Sequence, residues 1–268
     1  MKDKSGRNIN YLRISVTDKC NFRCRYCMPD PVPDVEHEEI LRYEEILRIC
    51  EAAVRLGIRK FKITGGEPLV RKGCVDFMQR LKETDGVETV TLTTNGMFVK
   101  EHIEEFKHMG LDGINISLDT LDRKQFHRLT GTDGVDAVVD AVAACVSAGL
   151  KTKINSVLLS ETKSQILRLA HLAQEMPVDV RFIEVMPIGF GRFEKGPTED
   201  AVLQILQAEY PDLAYRRDVR GNGPAVYYGS SLLQGYIGFI AANTHRFCDE
   251  CNRMRLTSTG FLKPCLCY

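Results

Sequence analysis

No stretch of this chain approaches the roughly 18 consecutive apolar residues that a membrane span requires. The N-terminal run Met1-Lys2-Asp3-Lys4-Ser5-Gly6-Arg7-Asn8 also has no apolar core of the kind that marks a secretion leader. These two absences predict a cytoplasmic protein that meets no membrane. Net charge is missing too, since 36 Lys and Arg balance 36 Asp and Glu. Bulk attraction to nucleic acid is therefore not expected, and any anion must be held by a local basic cluster. There is no low-complexity linker, so the parts of the chain are expected to pack together. With 268 residues, 44% of them apolar, the chain can build one large barrel, or a barrel with a small appendage.

Cysteine, in contrast, is plentiful. Ten cysteines in a reducing compartment are poor candidates for disulfides and call for metal or for burial. Cys50 keeps step with Ile46, Leu47, Ala53 and Val54, and Cys145 with Val138, Val142 and Val146. That helical spacing predicts core positions, and Cys74 is read the same way. Cys20, Cys24 and Cys27 lie within eight residues, directly after the strand-like run Tyr11 to Val16. Three soft thiolates can hold three corners of an iron-sulfur cubane and leave the fourth iron open. Zinc is the competing reading, but it wants four ligands, and the nearest further candidate is His37, beyond a proline-rich stretch. A second set, Cys248, Cys251 and Cys265, has a CxxC and then thirteen intervening residues. Here zinc and iron-sulfur both remain open on spacing, because Cys267 could complete a four-cysteine staple. Arg253 and Arg255, beside that set, suit a multidentate anion such as a triphosphate.

Strand-like runs at 11 to 17, 59 to 64, 89 to 94, 113 to 118, 152 to 159 and 179 to 186 alternate with helical periodicity at 43 to 56, 74 to 83, 99 to 109, 134 to 148 and 164 to 175. Such alternation predicts parallel βα units, with Gly57, Gly110 and Gly149 as left-handed helix ends. Six units are too few for a closed eight-stranded barrel, so the expected fold is α/β, an open (β/α)6 partial TIM barrel. The expected division is 1 to 215 for the barrel and 216 to 268 for a small β-containing auxiliary-cluster region. Sites on parallel barrels lie at strand C-termini. The first cysteine loop, Gly65-Gly66-Glu67-Pro68, Thr93-Thr94-Asn95, Ser117-Leu118-Asp119 and Met186-Pro187 all follow predicted strands, which predicts one shared pocket on one rim.

The CxxxCxxC run with Tyr26 before its last cysteine, followed by Gly-Gly-Glu-Pro, resembles the signature of radical S-adenosylmethionine (SAM) enzymes. Together with Leu92-Thr93-Thr94-Asn95-Gly96, Asn115-Ile116-Ser117-Leu118-Asp119, Arg181-Phe182-Ile183-Glu184 and Phe247-Cys248-x-x-Cys251-Asn252-Arg253-x-Arg255, it is similar to the GTP 3′,8-cyclase family of molybdenum cofactor biosynthesis, from about Asn10 to Cys265. The resemblance implies two 4Fe-4S clusters, one on each cysteine set, with SAM contacts on Tyr26, Gly66, Ser117 and Met186. It implies GTP contacts on Arg13, Lys62, Thr93, Lys153 and the segment Arg253, Met254, Arg255. The implied product is 3′,8-cyclo-7,8-dihydro-GTP. The implied partners are an electron donor such as a flavodoxin, a downstream cyclic pyranopterin monophosphate synthase and a second copy in a homodimer.

Three departures stand out. The family pattern runs on past the third C-terminal cysteine to a Gly-Gly tail, whereas this sequence ends at Tyr268, as a truncated form or fragment would. Lys62 stands where arginine is more usual, and Cys267 offers an extra ligand beside the second set. The competing readings are another radical SAM enzyme with an auxiliary cluster, of the peptide- or sulfatase-modifying kind, and a zinc-stapled non-catalytic binding protein.

Overall fold

Alternation along the strands decides what each face of the sheet meets. In β1 (Tyr11–Ser15), Leu12 and Ile14 are buried, and in β2 (Lys60–Thr64) so are Phe61 and Ile63. β3 (Thr89–Thr94) contributes Val90 and Leu92, and β4 (Gly113–Ser117) contributes Ile114 and Ile116. β5 (Thr152–Leu158) adds Ile154, and β6 (Asp179–Glu184) adds Val180 and Phe182. These side chains form one core with the apolar stripes of α1 (Tyr43–Arg55), α2 (Cys74–Lys82), α3 (Ile103–His108), α5 (Val135–Ser147) and α6 (Ile166–Glu175). Burying each such Leu, Ile or Phe contributes about 1.5–3 kcal/mol. Cys50, Cys74 and Cys145 sit in this core as expected. The alternate positions, Arg13, Lys62, Thr91, Asn115, Lys153 and Arg181, fall on the opposite, polar face.

The computed structural model describes residues 2–3, 6–27, 36–218, 220–245 and 247–265. Cys267, and the side chain of His37, lie outside the described residues. Helices follow strands as the sequence predicted, and Gly57, Gly110 and Gly149 carry positive φ at helix ends. Two local expectations are revised. The helix expected over 99 to 109 is a 3-10 turn, Val99–His102, followed by the shorter α3. An additional helix, α4 (Arg123–Thr130), follows β4, with Asp122 accepting from Gln125 N at 2.8 Å as its N-cap and Gly131 as its left-handed end. Its sequence is mostly polar, which concealed it from a reading based on apolar periodicity.

The larger finding concerns the sheet. It has eleven strands, ordered β11-β10-β1-β2-β3-β4-β5-β6-β9-β8-β7. β7 (Ala214–Arg216) and β8 (Val226–Gly229) follow α7 (Glu199–Glu209), and β9 (Ile237–Ile240) pairs parallel with β6. β10 (Arg253–Leu256) pairs parallel with β1, and β11 (Leu262–Lys263) folds back antiparallel on β10. The parallel series is therefore eight strands, β10 and β1 to β6 and β9, and the sheet ends at β11 and β7 without closing among the described residues. The six expected βα units are extended at both edges by the C-terminal region. Of the described residues, no helix is long and apolar enough to cross a membrane.

Candidate active site

The loop after β1 is held by the loop after β2. Gly66 N donates to Thr17 O at 2.7 Å and Glu67 N to Lys19 O at 2.9 Å. A Cβ on Gly66 would lie 2.3 Å from Lys19 O, and one on Gly65 would lie 2.7 Å from Thr17 O. Neither glycine has positive φ, so space and not backbone conformation requires them. Glu67, 1% exposed, accepts from Leu69 N (3.0 Å), Thr94 Oγ1 (2.8 Å) and Asn95 N (2.6 Å), which ties the end of β3 to the same corner. Asn95 Nδ2 then donates to Asn21 Oδ1 at 2.7 Å, inside the cysteine loop. The Gly-Gly-Glu-Pro motif is thus the clamp that shapes the loop.

That loop opens on a cavity lined by Cys20, Cys24 and Cys27 together with Tyr26, Gly66, Thr93, Ser117 and Asp119. Three of the four residues expected to meet SAM are gathered there, along with Thr93. Met186 is not among the lining residues; it is half-buried just beyond β6, where its carbonyl accepts from Ile188 N at 2.8 Å. Tyr26 OH donates to Asp119 Oδ2 at 2.5 Å, and Val157 N donates to Asp119 Oδ1 at 2.7 Å. Burial pushes the Asp119 carboxyl up to about 6 against these two donors, and pushes the thiols of Cys20, Cys24 and Cys27 up as well. Raised thiols are the cost of holding three cysteines in a half-buried loop without a positive centre, and a cationic iron-sulfur core reverses that cost. The donor set, three thiols converging on one cavity, fits such a cluster.

Below this rim the polar face of the sheet is cationic. Arg13 and Lys62 are neighbours in the β1–β2 register, and Arg255 lies opposite Arg13 on β10. Arg181 and Arg253 act on both Arg13 and Lys62. Burial, followed by Arg181, Arg13, Arg253 and Lys153, holds the Lys62 amine well below its ordinary value. Among the described residues no carboxylate pairs with Arg13, Lys62, Arg181 or Arg253. Arg13 Nε and Arg181 Nε are buried donors with no partner, and Asn155 Oδ1 is a buried acceptor with none. Such orphaned groups are expensive unless a ligand satisfies them. Lys153 differs, because Asp179 binds it at 2.9 Å and also holds Arg220 at 3.0 Å.

This arrangement corrects the expectation of a single rim. Lys62 is mid-strand in β2, and Lys153 lies near the start of β5, so these cations line the interior below the strand ends. Met254 also differs from its neighbours. Its side chain packs on the apolar core opposite Leu12, leaving only its backbone for the polar side. Arg181, which the sequence reading did not assign, belongs to the cluster. Alternation along β6, with Val180 and Phe182 in the core, is the signal that would have found it.

The second cysteine set precedes β10 and therefore lies at the end of the sheet opposite the first set, because β10 and β1 run parallel. A five-residue strand spans about 16 Å, which sets the order of their separation. Asn252 O accepts from Asn10 N and Tyr11 N, both at 3.2 Å, anchoring this corner to the start of β1. The register of the β10–β11 hairpin, Arg255 opposite Lys263, carries Cys265 back level with Arg253. Arg7 acts electrostatically with both Cys251 and Cys265. Burial raises the Cys251 thiol, but Arg253 and Arg7 outweigh it and leave the thiol below its ordinary value. Cys251 and Cys265 thus share one corner, with Cys248 one turn away through Cys251 N to Cys248 O at 3.2 Å, and a low thiol favours metal ligation. Among the described residues, no three of His, Cys, Asp and Glu stand close enough to grip a single metal ion. Glu184 at the end of β6 accepts from Asn243 N (2.8 Å), Thr244 N (3.0 Å) and Thr244 Oγ1 (2.6 Å), pinning the segment that leads into Cys248.

Comparison with known proteins agrees with this architecture. Residues 14–173 match the model of the Radical SAM superfamily, and residues 178–268 match Molybdenum Cofactor Synthesis C. A GTP 3′,8-cyclase of Clostridium perfringens (strain 13 / Type A) is 44% identical over 268 residues, spanning 99% of this chain and 83% of that protein. One from Heliobacterium modesticaldum is 43% identical over 275 residues, with the same shares covered. Among solved structures, Streptococcus suis SuiB bound to S-adenosylmethionine superposes with a TM-score of 0.73 at 18% identity, covering 97% of this chain and 60% of that one, a likeness of fold. With both halves matched and identity above two-fifths across nearly its whole length, the chain belongs to the GTP 3′,8-cyclase family of radical SAM proteins.

Proposed function

We propose that this protein converts GTP to 3′,8-cyclo-7,8-dihydro-GTP, the first step of molybdenum cofactor synthesis, with SAM as co-substrate. The observation that carries the nucleotide half of the reading is the uncompensated cationic interior, with Arg13 Nε and Arg181 Nε buried and unpartnered. A multiply charged anion relieves that arrangement, and a triphosphate has the oxygens to satisfy several guanidinium donors at once. The relatives named as GTP 3′,8-cyclases support the same substrate.

In this reading Cys20, Cys24 and Cys27 hold a 4Fe-4S cluster at the rim. Tyr26, Gly66, Ser117 and Met186 bind SAM there. When bound, cluster and SAM together supply an electron and a 5′-deoxyadenosyl radical. Arg13, Lys62, Lys153, Arg181, Arg253 and Arg255 hold the phosphates in the interior, and Thr93, which lines the rim cavity, meets the nucleotide above them. Cys248, Cys251 and Cys265 hold a second 4Fe-4S cluster at the far corner, where the guanine is received. The protein's contribution is to fix a ribose carbon against the rim in a reactive geometry and to exclude water, since effective molarity alone can supply about 7–11 kcal/mol of the barrier. A small electron carrier such as a flavodoxin would serve the rim cluster, a homodimer is the proposed assembly, and a cyclic pyranopterin monophosphate synthase would consume the product.

Anaerobic iron and sulfide quantification with EPR, with and without GTP, tests this reading. About eight irons per chain and a GTP-dependent change in one cluster signal support it. About four irons with one tightly bound zinc would make the second set a structural staple and remove the nucleotide from that corner.

A further inference from the structure

Lys62 is an amine set among guanidiniums. Arg13 neighbours it in the β1–β2 register, and Arg181, Arg13, Arg253 and Lys153 act on it electrostatically; Tyr11, Arg255 and Asp179 occupy the same face of β1, β10 and β6. Lys60 shares its strand face, while β3 and β4 offer the uncharged Thr91, Thr93 and Asn115. The one carboxylate in this group, Asp179, is already held by Lys153 at 2.9 Å and Arg220 at 3.0 Å. Tyr11 is buried and stays protonated, with its phenol raised by burial. A guanidinium keeps its proton in such company, whereas an amine gives it up. Burial lowers the Lys62 ammonium, and crowding by Arg181, Arg13 and Arg253 adds to it, whereas the other amine of the group, Lys153, is held by Asp179 at 2.9 Å.

We infer that the cavity takes up a proton from solvent with each polyphosphate it captures, and that the proton settles on Lys62 Nζ. The inference rests on the polyphosphate reading given under Proposed function. The balance is simple: a neutral amine, a proton from buffer and the anion give an ammonium–phosphate ion pair, and one N–H bond is the only bond formed. The ligand is not the source of the effect, because cations around a phosphate favour its deprotonated form and so oppose uptake. Nor is Asp179, whose oxygens already serve Lys153 and Arg220.

The linkage has a definite sign. The bound anion raises the Lys62 pKa above its value in the free cavity, so affinity is fully present below the free value. It is lost as pH rises toward the bound value, by up to about tenfold per pH unit. Lys62 thus adjusts the cavity's charge to its occupancy, giving up its proton more readily when empty and keeping it when filled.

Calorimetry on the cluster-loaded protein, kept anaerobic, provides the test. GTP and inorganic tripolyphosphate are titrated at about pH 8 in HEPES and in Tris, whose ionisation enthalpies differ, and the difference in heat counts protons. The expected result is uptake approaching about one proton per ligand. Because the ligand's own deprotonation is common to all three proteins, Lys62→Arg should bind with about one proton less taken up than the unmodified protein, and Lys62→Gln should bind at least about tenfold more weakly with the same loss. Equal proton counts in the unmodified protein and both variants would overturn the inference. Uptake with tripolyphosphate but no binding of GTP leaves the proton on Lys62 and removes the nucleotide. Failure of both ligands to bind removes both conclusions. Iron content and thermal melting of each variant establish that it is folded and loaded.

Discussion

Gly66→Ala should disable the rim while leaving the rest of the fold in place. The added Cβ lies 2.3 Å from Lys19 O, 2.6 Å from Lys19 C and 2.8 Å from Asp18 O. Real Cβ contacts essentially never fall below 3.0 Å, so the loop must retreat by at least 3.0 − 2.3 = 0.7 Å. All three obstructing atoms are backbone, so no side chain can swing aside. Retreat stretches Gly66 N to Thr17 O (2.7 Å) and Glu67 N to Lys19 O (2.9 Å), two bonds worth about 1 kcal/mol each. Overpacking adds about 1–3 kcal/mol, so the loss of unfolding free energy should total about 3–5 kcal/mol. Urea unfolding of the metal-free protein measures it. Iron quantification on the reconstituted protein should show about four irons lost of about eight, from the Cys20, Cys24, Cys27 site. A variant with unchanged urea midpoint and full iron content would refute the argument that space at Gly66 shapes the cysteine loop.

Other outcomes follow from the same geometry. In Asp119→Asn, one component of the pH dependence of stability should vanish. The native carboxyl is pushed up to about 6 by burial. The folded state therefore binds that proton more tightly than the unfolded chain does, and stability falls as pH rises from about 4 through about 6, by about 3 kcal/mol in all. Parallel urea titrations of both proteins across that range check it. Glu184→Ala strands the backbone donors Asn243 N and Thr244 N and should cost about 3 kcal/mol. Its iron loss should be confined to the Cys248, Cys251, Cys265 corner, as resolved by EPR. Arg181→Met should raise the GTP dissociation constant about 10- to 150-fold, the worth of a charge-assisted hydrogen bond, with iron content unchanged in the same preparation.

What could be read from the sequence was what is local. Six strands, their helices and the glycine ends are written in short-range periodicity, and the cysteine loop and Gly-Gly-Glu-Pro motif are contiguous. Arg13, Lys62 and Lys153 came from resemblance, but their assembly into a cluster depends on register, which joins Arg13 to Lys62 and Asn115 to Lys153 across dozens of residues. The pairing of β10 with β1 spans about 240 residues and leaves no local signal. For that reason the eight-strand series was missed, and the end of the sheet at which the second cysteine set lies was not read. α4 went unassigned because Arg123, Lys124, His127 and Arg128 interrupt its apolar periodicity, although Asp122 and Gly131 mark its two ends.

The insertion of β10 beside β1 also sets the order in which the molecule is completed during synthesis. A chain emerging from its N-terminus presents β1 as an open edge, with Leu12 and Ile14 awaiting neighbours on one side, until Leu256 has left the ribosome. The rim that holds Cys20, Cys24 and Cys27 takes its Gly66, Glu67, Asn95 and Asp119 contacts from β2 to β5, while Glu194 on Arg25 and Ser258 on Asp18 complete it later. The wall carrying Arg253 and Arg255 arrives after β1 to β9, and the cationic interior gains these two charges only then. Like charges are thus brought together at the end, by a sheet already able to hold them.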